Sequence, residues 1–113
     1  MTMRPSIKIS QQDIAIRDHA IGIVCQVCGD VTPDEVMSSA RSRRVSFARH
    51  LAIYMLSPRA GMTTSKVGAL FGRDHATVLH AVQVIDGYRA LPKMYAKEND
   101  IITRAKEMHT SWT

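Results

Sequence analysis

Cysteine is scarce in this chain of 113 residues: Cys25 and Cys28 stand in a single C-x-x-C, and there is no other. A structural zinc site calls for four ligands, usually two such pairs, and a thioredoxin-like centre calls for a βαβ context that the chain lacks. Both residues therefore read as buried free thiols of a cytosolic protein. Proline is also rare, with four residues, and 45% hydrophobic against 22% charged residues excludes a disordered chain. No apolar run approaches the ~20 residues needed to cross a bilayer, and Met1 to Ser10 lacks the apolar core of a signal peptide. The expected location is the cytoplasm, at the nucleoid. There is no G-x-x-x-x-G-K-[ST] phosphate loop, no carboxylate pair stands out, and the five histidines are scattered. The expectation is a protein that is no enzyme, binds no nucleotide or other cofactor, and holds no metal. The length suits one domain and is too short for two.

One further absence organises the charge. From Val36 to Arg73 there is no acidic residue, while Arg41, Arg43, Arg44, Arg49, Arg59, Lys66 and Arg73 all fall there. The segments on either side mix both signs, so the formal net charge of +5 is confined to one stretch. A solvated helix face usually mixes signs; a one-signed block is what a phosphate-tracking surface needs.

The block ends at the most informative stretch, GALFGRDHATVLHAVQVI from Gly68 to Ile85. Val67, Leu70 and Phe71 form an apolar turn of helix that breaks at Gly72. Asp74 then opens a second run with Val78, Leu79, Val82 and Ile85 at helical spacing. Helix, tight turn and helix follow, and the exposed start of the second helix carries Arg73, Asp74, His75, Ala76 and Thr77, groups that can touch base edges. FGRDHATVLHA, together with the upstream RSRRVSFARHLAIYML, resembles the C-terminal DNA-binding domain of the bacterial replication initiator DnaA. That family's signature runs glycine, basic residue, any residue, His, a small hydroxyl residue, Thr and two aliphatics. The likeness covers roughly Ile21 to Met108. Ala76 stands where the family usually has Thr or Ser, Val84 stands where it usually has a basic residue, and Gly72 is a single glycine where many members have two. The resemblance implies an all-α bundle of about five to six helices containing a helix-turn-helix.

In chain order, residues 1–9 read as a flexible N-terminal arm, 10–110 as the folded domain and 111–113 as a tail. Ser10 with Asp13 opens a helix that stops at Gly29, with Ile14, Ile21, Val24 and Val27 on one face. Thr32, Pro33 and Glu35 open a short helix through about Ser38. The arginine-rich connection of Arg41 to Arg44 follows, and then a helix from about Ser46 to Leu56 offers Phe47, Leu51, Tyr54 and Met55 to the core before Ser57 and Pro58 end it. Thr63 or Thr64 caps the first helix of the motif. Their hydroxyls suit phosphate oxygens, with Lys66 adding charge, although capping alone explains both threonines equally well. The second helix runs from Asp74 to about Ala90, and a final helix from Lys93 to about His109 shows Met94, Ile101, Ala105 and Met108 on one stripe. Trp112 marks a partner surface or folds back on the bundle.

By resemblance, Arg41 aligns with the arginine that DnaA inserts into the minor groove. Asp74, an N-cap by position, accepts a hydrogen bond from a cytosine amino group in that family, and His75 contacts the neighbouring base. Thr77 serves a phosphate, and Ala76 offers only a methyl, which predicts altered readout. His80 either reaches the backbone or is a surface or half-buried histidine. Arg43, Arg44, Arg49 and Arg73 complete the set expected on duplex DNA. The function expected is a sequence-specific transcriptional regulator, similar to DnaA-like domains of phage-related regulators and of gene-transfer-agent activators that pair with a polymerase-contacting protein. A modulator competing at DnaA boxes, and a protein-interaction module, are the alternatives. The ATPase module of DnaA is absent from the sequence, so the expected action is occupancy of a site.

Overall fold

The computed structural model describes residues 7–57 and 61–112. Met1 to Ser6 of the N-terminal arm, Pro58, Arg59, the Trp112 side chain and Thr113 lie outside the described residues.

Helix α1, Gln11–Cys28, begins at a reciprocal cap. The Ser10 hydroxyl accepts from the Asp13 amide, and the Asp13 carboxylate accepts from the Ser10 amide. It ends on Gly29 at φ 68°, a left-handed value that favours glycine. Helix α2, Pro33–Met37, uses the same device between Thr32 and Glu35, with Pro33 at its first position.

Helix α3, Arg43–Leu56, starts earlier than the sequence suggested. The cap is Ser42, whose hydroxyl accepts from the Val45 amide at 3.3 Å. Arg43 and Arg44 are therefore the first turn of a helix and not part of the loop. The error came from reading a start in the apolar pattern, when the cap sat inside the arginine run. From Leu51 to Leu56 every residue of α3 is buried, as is its cap Ser57. That end is the axis of the bundle, with α1 and α5 packed most closely on it and α2, α4 and α6 around them. Burying a side chain such as Leu51 completely contributes about 1.5–3 kcal/mol.

Helices α4, Thr64–Phe71, and α5, His75–Ala90, form the expected helix-turn-helix. Helix α6, Ala96–Trp112, buries Ile102 and Ala105 completely and leans Ile101 and Met108 on the same core. It starts after Lys93, because Pro92 to Tyr95 form turns closed by a Tyr95 amide bond to the Leu91 carbonyl at 3.0 Å. Met94, expected on the packing stripe, lies in that turn and is 71% exposed. Ser111 and Trp112, expected in a tail, continue the helix. Asn99 fixes the corner by donating to the Tyr88 and Tyr95 carbonyls. Arg89 reaches from α5 to Thr103 of α6 at 2.9 Å. Among the described residues all regular structure is helical, an all-α bundle.

Candidate nucleic-acid interface

The tight turn is set by two glycines for different reasons. Gly72 takes φ 63° and ψ 33°, the left-handed conformation that closes a helix, and its amide donates to the Ala69 carbonyl. The Arg73 amide then donates to the Gly68 carbonyl at 2.8 Å, folding the chain back across the last turn of α4. Gly68 has no room for a side chain, since a Cβ there would stand 2.7 Å from the Arg73 carbonyl oxygen. Sequence reasoning missed this position, where the signal was a glycine inside an apolar helix. It also missed Arg17, which donates to the Leu70 carbonyl at 2.8 Å and so caps α4 from α1.

Asp74 sits at the N-cap of α5 and accepts from the Thr77 amide at 2.8 Å. That amide, helped by the Thr77 hydroxyl, holds the carboxyl below its usual range, so the helix opens on an ionised group. His75 and Ala76 are exposed and Thr77 is half-buried. Val78, Ala81 and Ile85 turn inward at 0% exposure, so the opposite face presents Ala76, His80 and Gln83. Leu79, assigned to the apolar stripe on sequence, is 43% exposed and belongs to this outer face. His80 meets His50 of α3 edge-on, with ring centroids 5.4 Å apart. His50 is half-buried, and burial, then His80, then Arg49 depress its pKa.

The cations divide into two groups. Arg41, Arg43 and Arg44 are exposed, and their side chains make no hydrogen bond or ion pair with another described residue. Cations in the first turn of a helix oppose its dipole by about 0.3–1 kcal/mol each, a cost that an anion lying over them would offset. The second group is committed inside the protein. Arg49, expected on DNA, is only 7% exposed. Its Nε donates to the Val36 carbonyl at 2.8 Å and its Nη2 to the Glu35 and Ser38 carbonyls at 3.1 and 2.7 Å. These carbonyls belong to the end of α2 and the residue that follows, where a helix leaves acceptors unpaired. Burial and then Arg73 lower the Arg49 pKa from its usual value. Arg73 is half-buried and donates to the same Ser38 carbonyl. Lys66, expected on phosphate, pairs with Asp13 of α1 at 3.2 Å. The Thr63 hydroxyl is the N-cap of α4 and accepts from the Lys66 amide, and Thr64 is half-buried in its first turn.

The structure thus links the Ser38 carbonyl, three residues before Arg41, to Arg73 at the amino end of α5, and sets Arg43 and Arg44 on α3 toward the carboxyl half of α5; it withdraws Arg49 and ties Lys66 to Asp13. A groove of about 640 Å³ continues along α3, α5 and α6, with Arg43 and Arg44 beside Phe47, His50, Val84 and Tyr88. Phe47 and Tyr88 meet edge-on at 5.6 Å. Cys25 and Cys28 are half-buried and unbridged; burial raises both thiols, Cys28 to about 11, so they stay protonated near neutral pH. Among the described residues no group of three or more His, Cys, Asp or Glu side chains is placed to hold a metal ion. No described helix is long and apolar enough to cross a membrane.

Residues 17–85 match the family described as bacterial dnaA protein helix-turn-helix, a match that runs from within α1 through most of α5. The chain belongs to that family. It is similar to the chromosomal replication initiator protein DnaA of Bacteroides fragilis, 32% identical over 96 residues, which are 83% of this chain and 20% of that protein. Against its namesake from Bacteroides thetaiotaomicron it is 33% identical over 82 residues, 72% of this chain and 17% of that protein. The Clavibacter sepedonicus protein shows 31% identity over 81 residues. The chain thus spans about a fifth of the length of these DnaA relatives.

Proposed function

We propose that this DnaA-family domain binds double-stranded DNA at specific sequences and acts at the nucleoid as a transcriptional regulator by occupying its site. The observation that carries this reading is a helix-turn-helix of this family that leaves His75 and Ala76 exposed at the amino end of α5, with three exposed, unpartnered arginine side chains, Arg41, Arg43 and Arg44, on the neighbouring segment and α3. In this reading, Arg43 and Arg44 hold phosphates and Arg41 enters the minor groove. His75, Ala76 and the carboxylate of Asp74 face base edges in the major groove. Asp74 serves as both cap and acceptor, since a carboxylate has two oxygens and the Thr77 amide takes Oδ1. Thr77 and His80 lie beside the phosphate path. A protein that contacts the transcription machinery completes the scheme as a partner.

A selection from random duplexes tests this directly. A defined motif is expected, with a log-log salt slope of about −5 if roughly six phosphates are held. A flat salt response would overturn DNA binding in favour of a protein-interaction module. Because the relatives carry the name of a replication initiator, a second reading is a modulator that competes at DnaA boxes. Recovery of an unaltered DnaA box would favour it over the regulator.

A further inference from the structure

The segment from Ser38 to Ser42 is a short strap between two anchored ends. At its root every polar group of Ser38 is engaged. Its amide and its hydroxyl both donate to the Glu35 carbonyl, and the hydroxyl also accepts from the Ala40 amide at 3.1 Å. Its carbonyl receives the Arg49 guanidinium at 2.7 Å, and Arg73 donates to the same oxygen. At the far end Ser42 caps α3. Only Ser39, Ala40 and Arg41 lie between, so Arg41 stays within about 10 Å of the Ser38 carbonyl however the strap bends. Arg73, in turn, directly precedes the Asp74 cap of α5.

We propose that Arg49 is a positioning residue for DNA readout: by locking the Ser38 carbonyl together with Arg73, it holds the Arg41 strap and the amino end of α5 in one fixed register. The idea rests on the DNA-binding reading above. Two guanidinium groups on one backbone oxygen join α3, the strap and the helix-turn-helix turn through a single atom. A minor-groove arginine and a major-groove helix must meet grooves whose spacing the duplex fixes. A strap free to shift by a few ångströms would still carry its charge to the DNA but would lose its place in the groove. The planar guanidinium fork reaches three carbonyls at once; a lysine ammonium carries the same charge on a single nitrogen and cannot span them.

The test compares wild type, Arg41→Ala, Arg49→Lys and the double variant on the selected duplex and its single-base variants, alongside melting curves. The base pairs whose discrimination falls in Arg41→Ala define the strap's footprint. Arg49→Lys is expected to lower discrimination at those same pairs at least fivefold and to leave pairs sensitive to His75→Ala within twofold. The double variant should be no worse than Arg41→Ala alone. A folded Arg49→Lys protein that keeps full discrimination at the Arg41 pairs, or a double variant whose losses multiply there, overturns the proposal. Should Arg49→Lys fail to fold, one glycine inserted after Ser39 lengthens the strap with Arg49 intact; the same selective loss supports the proposal and unchanged readout sinks it. Failure of the wild type to select any sequence would instead remove the DNA-binding reading beneath it.

Discussion

Arg41 and Arg49 come from the same acid-free segment, carry the same charge, and reach opposite environments. Arg41 is exposed with no described partner, whereas Arg49 is 7% exposed and spends its donors on three carbonyls. The difference lies in how the neighbouring helices end. Helix α4 closes on Gly72, whose left-handed backbone lets the Gly72 and Arg73 amides satisfy the Ala69 and Gly68 carbonyls, with Leu70 left to Arg17. Helix α2 stops after five residues on Ser38 in extended conformation, and its last carbonyls need donors from elsewhere. Arg49 is drawn inside to supply them, Arg73 adds a second donor to Ser38, and Arg41, Arg43 and Arg44 are left for solvent and ligand. A basic run therefore overstates the basic surface by whatever the fold withdraws.

The largest expected effect separates these two residues by stability. Arg49→Ala should cost about 3 kcal/mol or more, because several carbonyls lose charged donors at once, while Arg41→Ala should stay within about 0.5 kcal/mol. Urea melts of the two variants decide it, and equal midpoints would erase the distinction.

What the sequence disclosed was local. Ser10 with Asp13 and Thr32 with Glu35 are caps whose partners lie three residues away, and both appear where the pattern places them. Gly72 and Asp74 likewise mark the turn without tertiary help. Hidden from it were the contacts made between distant segments: Arg49 on the end of α2, Arg17 on the Leu70 carbonyl, and Lys66 on Asp13. A side chain long enough to choose its partner in three dimensions carries no periodicity to announce the choice. Leu79 shows the converse limit, since three- and four-residue spacing admitted it to the core stripe while its direction on α5 sends it outward.

The tie between Arg73 and the strap can be loosened without touching an arginine. Gly68→Ala would push a methyl against the Arg73 carbonyl, which stands 2.7 Å from an ideal Cβ, and is expected to cost about 2 kcal/mol. Gly87→Ala in α5 meets nothing within 4 Å and should stabilise by about 0.5–1 kcal/mol. Thermal melts of this pair test the turn geometry; a neutral Gly68→Ala would mean that the turn gives way to a methyl without cost.

A smaller effect separates free from committed cations on DNA. Arg44→Ala should reduce the log-log salt slope by about one, and Arg49→Lys should leave it unchanged. Lys66→Ala should fall between, because its ammonium already has Asp13 as partner. Titration of one duplex at several salt concentrations reads all three. A full unit lost in Arg49→Lys would place that side chain on phosphate after all.

The smallest effect concerns the histidine beside Arg49. His50 is held below the ordinary 6.5 by burial first, then by His80 and Arg49. An unfolded chain then binds more protons than the folded one below about pH 6.5, so the stability contributed by neutral His50 is complete above that pH and is lost as pH falls beneath it. His109 shifts in the same direction by burial and His19, so His50→Gln should flatten only part of the decline. The depressed carboxyls of Asp13 and Asp74 act lower still, near and below 3.8, which leaves the interval from about 6.5 to 4.5 to the histidines. A duplex phosphate over His50 would favour the protonated ring that the free fold resists. Over that interval melting temperature should fall while DNA affinity rises, and His50→Gln should diminish both trends together. Affinity that falls in step with stability would show that no phosphate passes over His50.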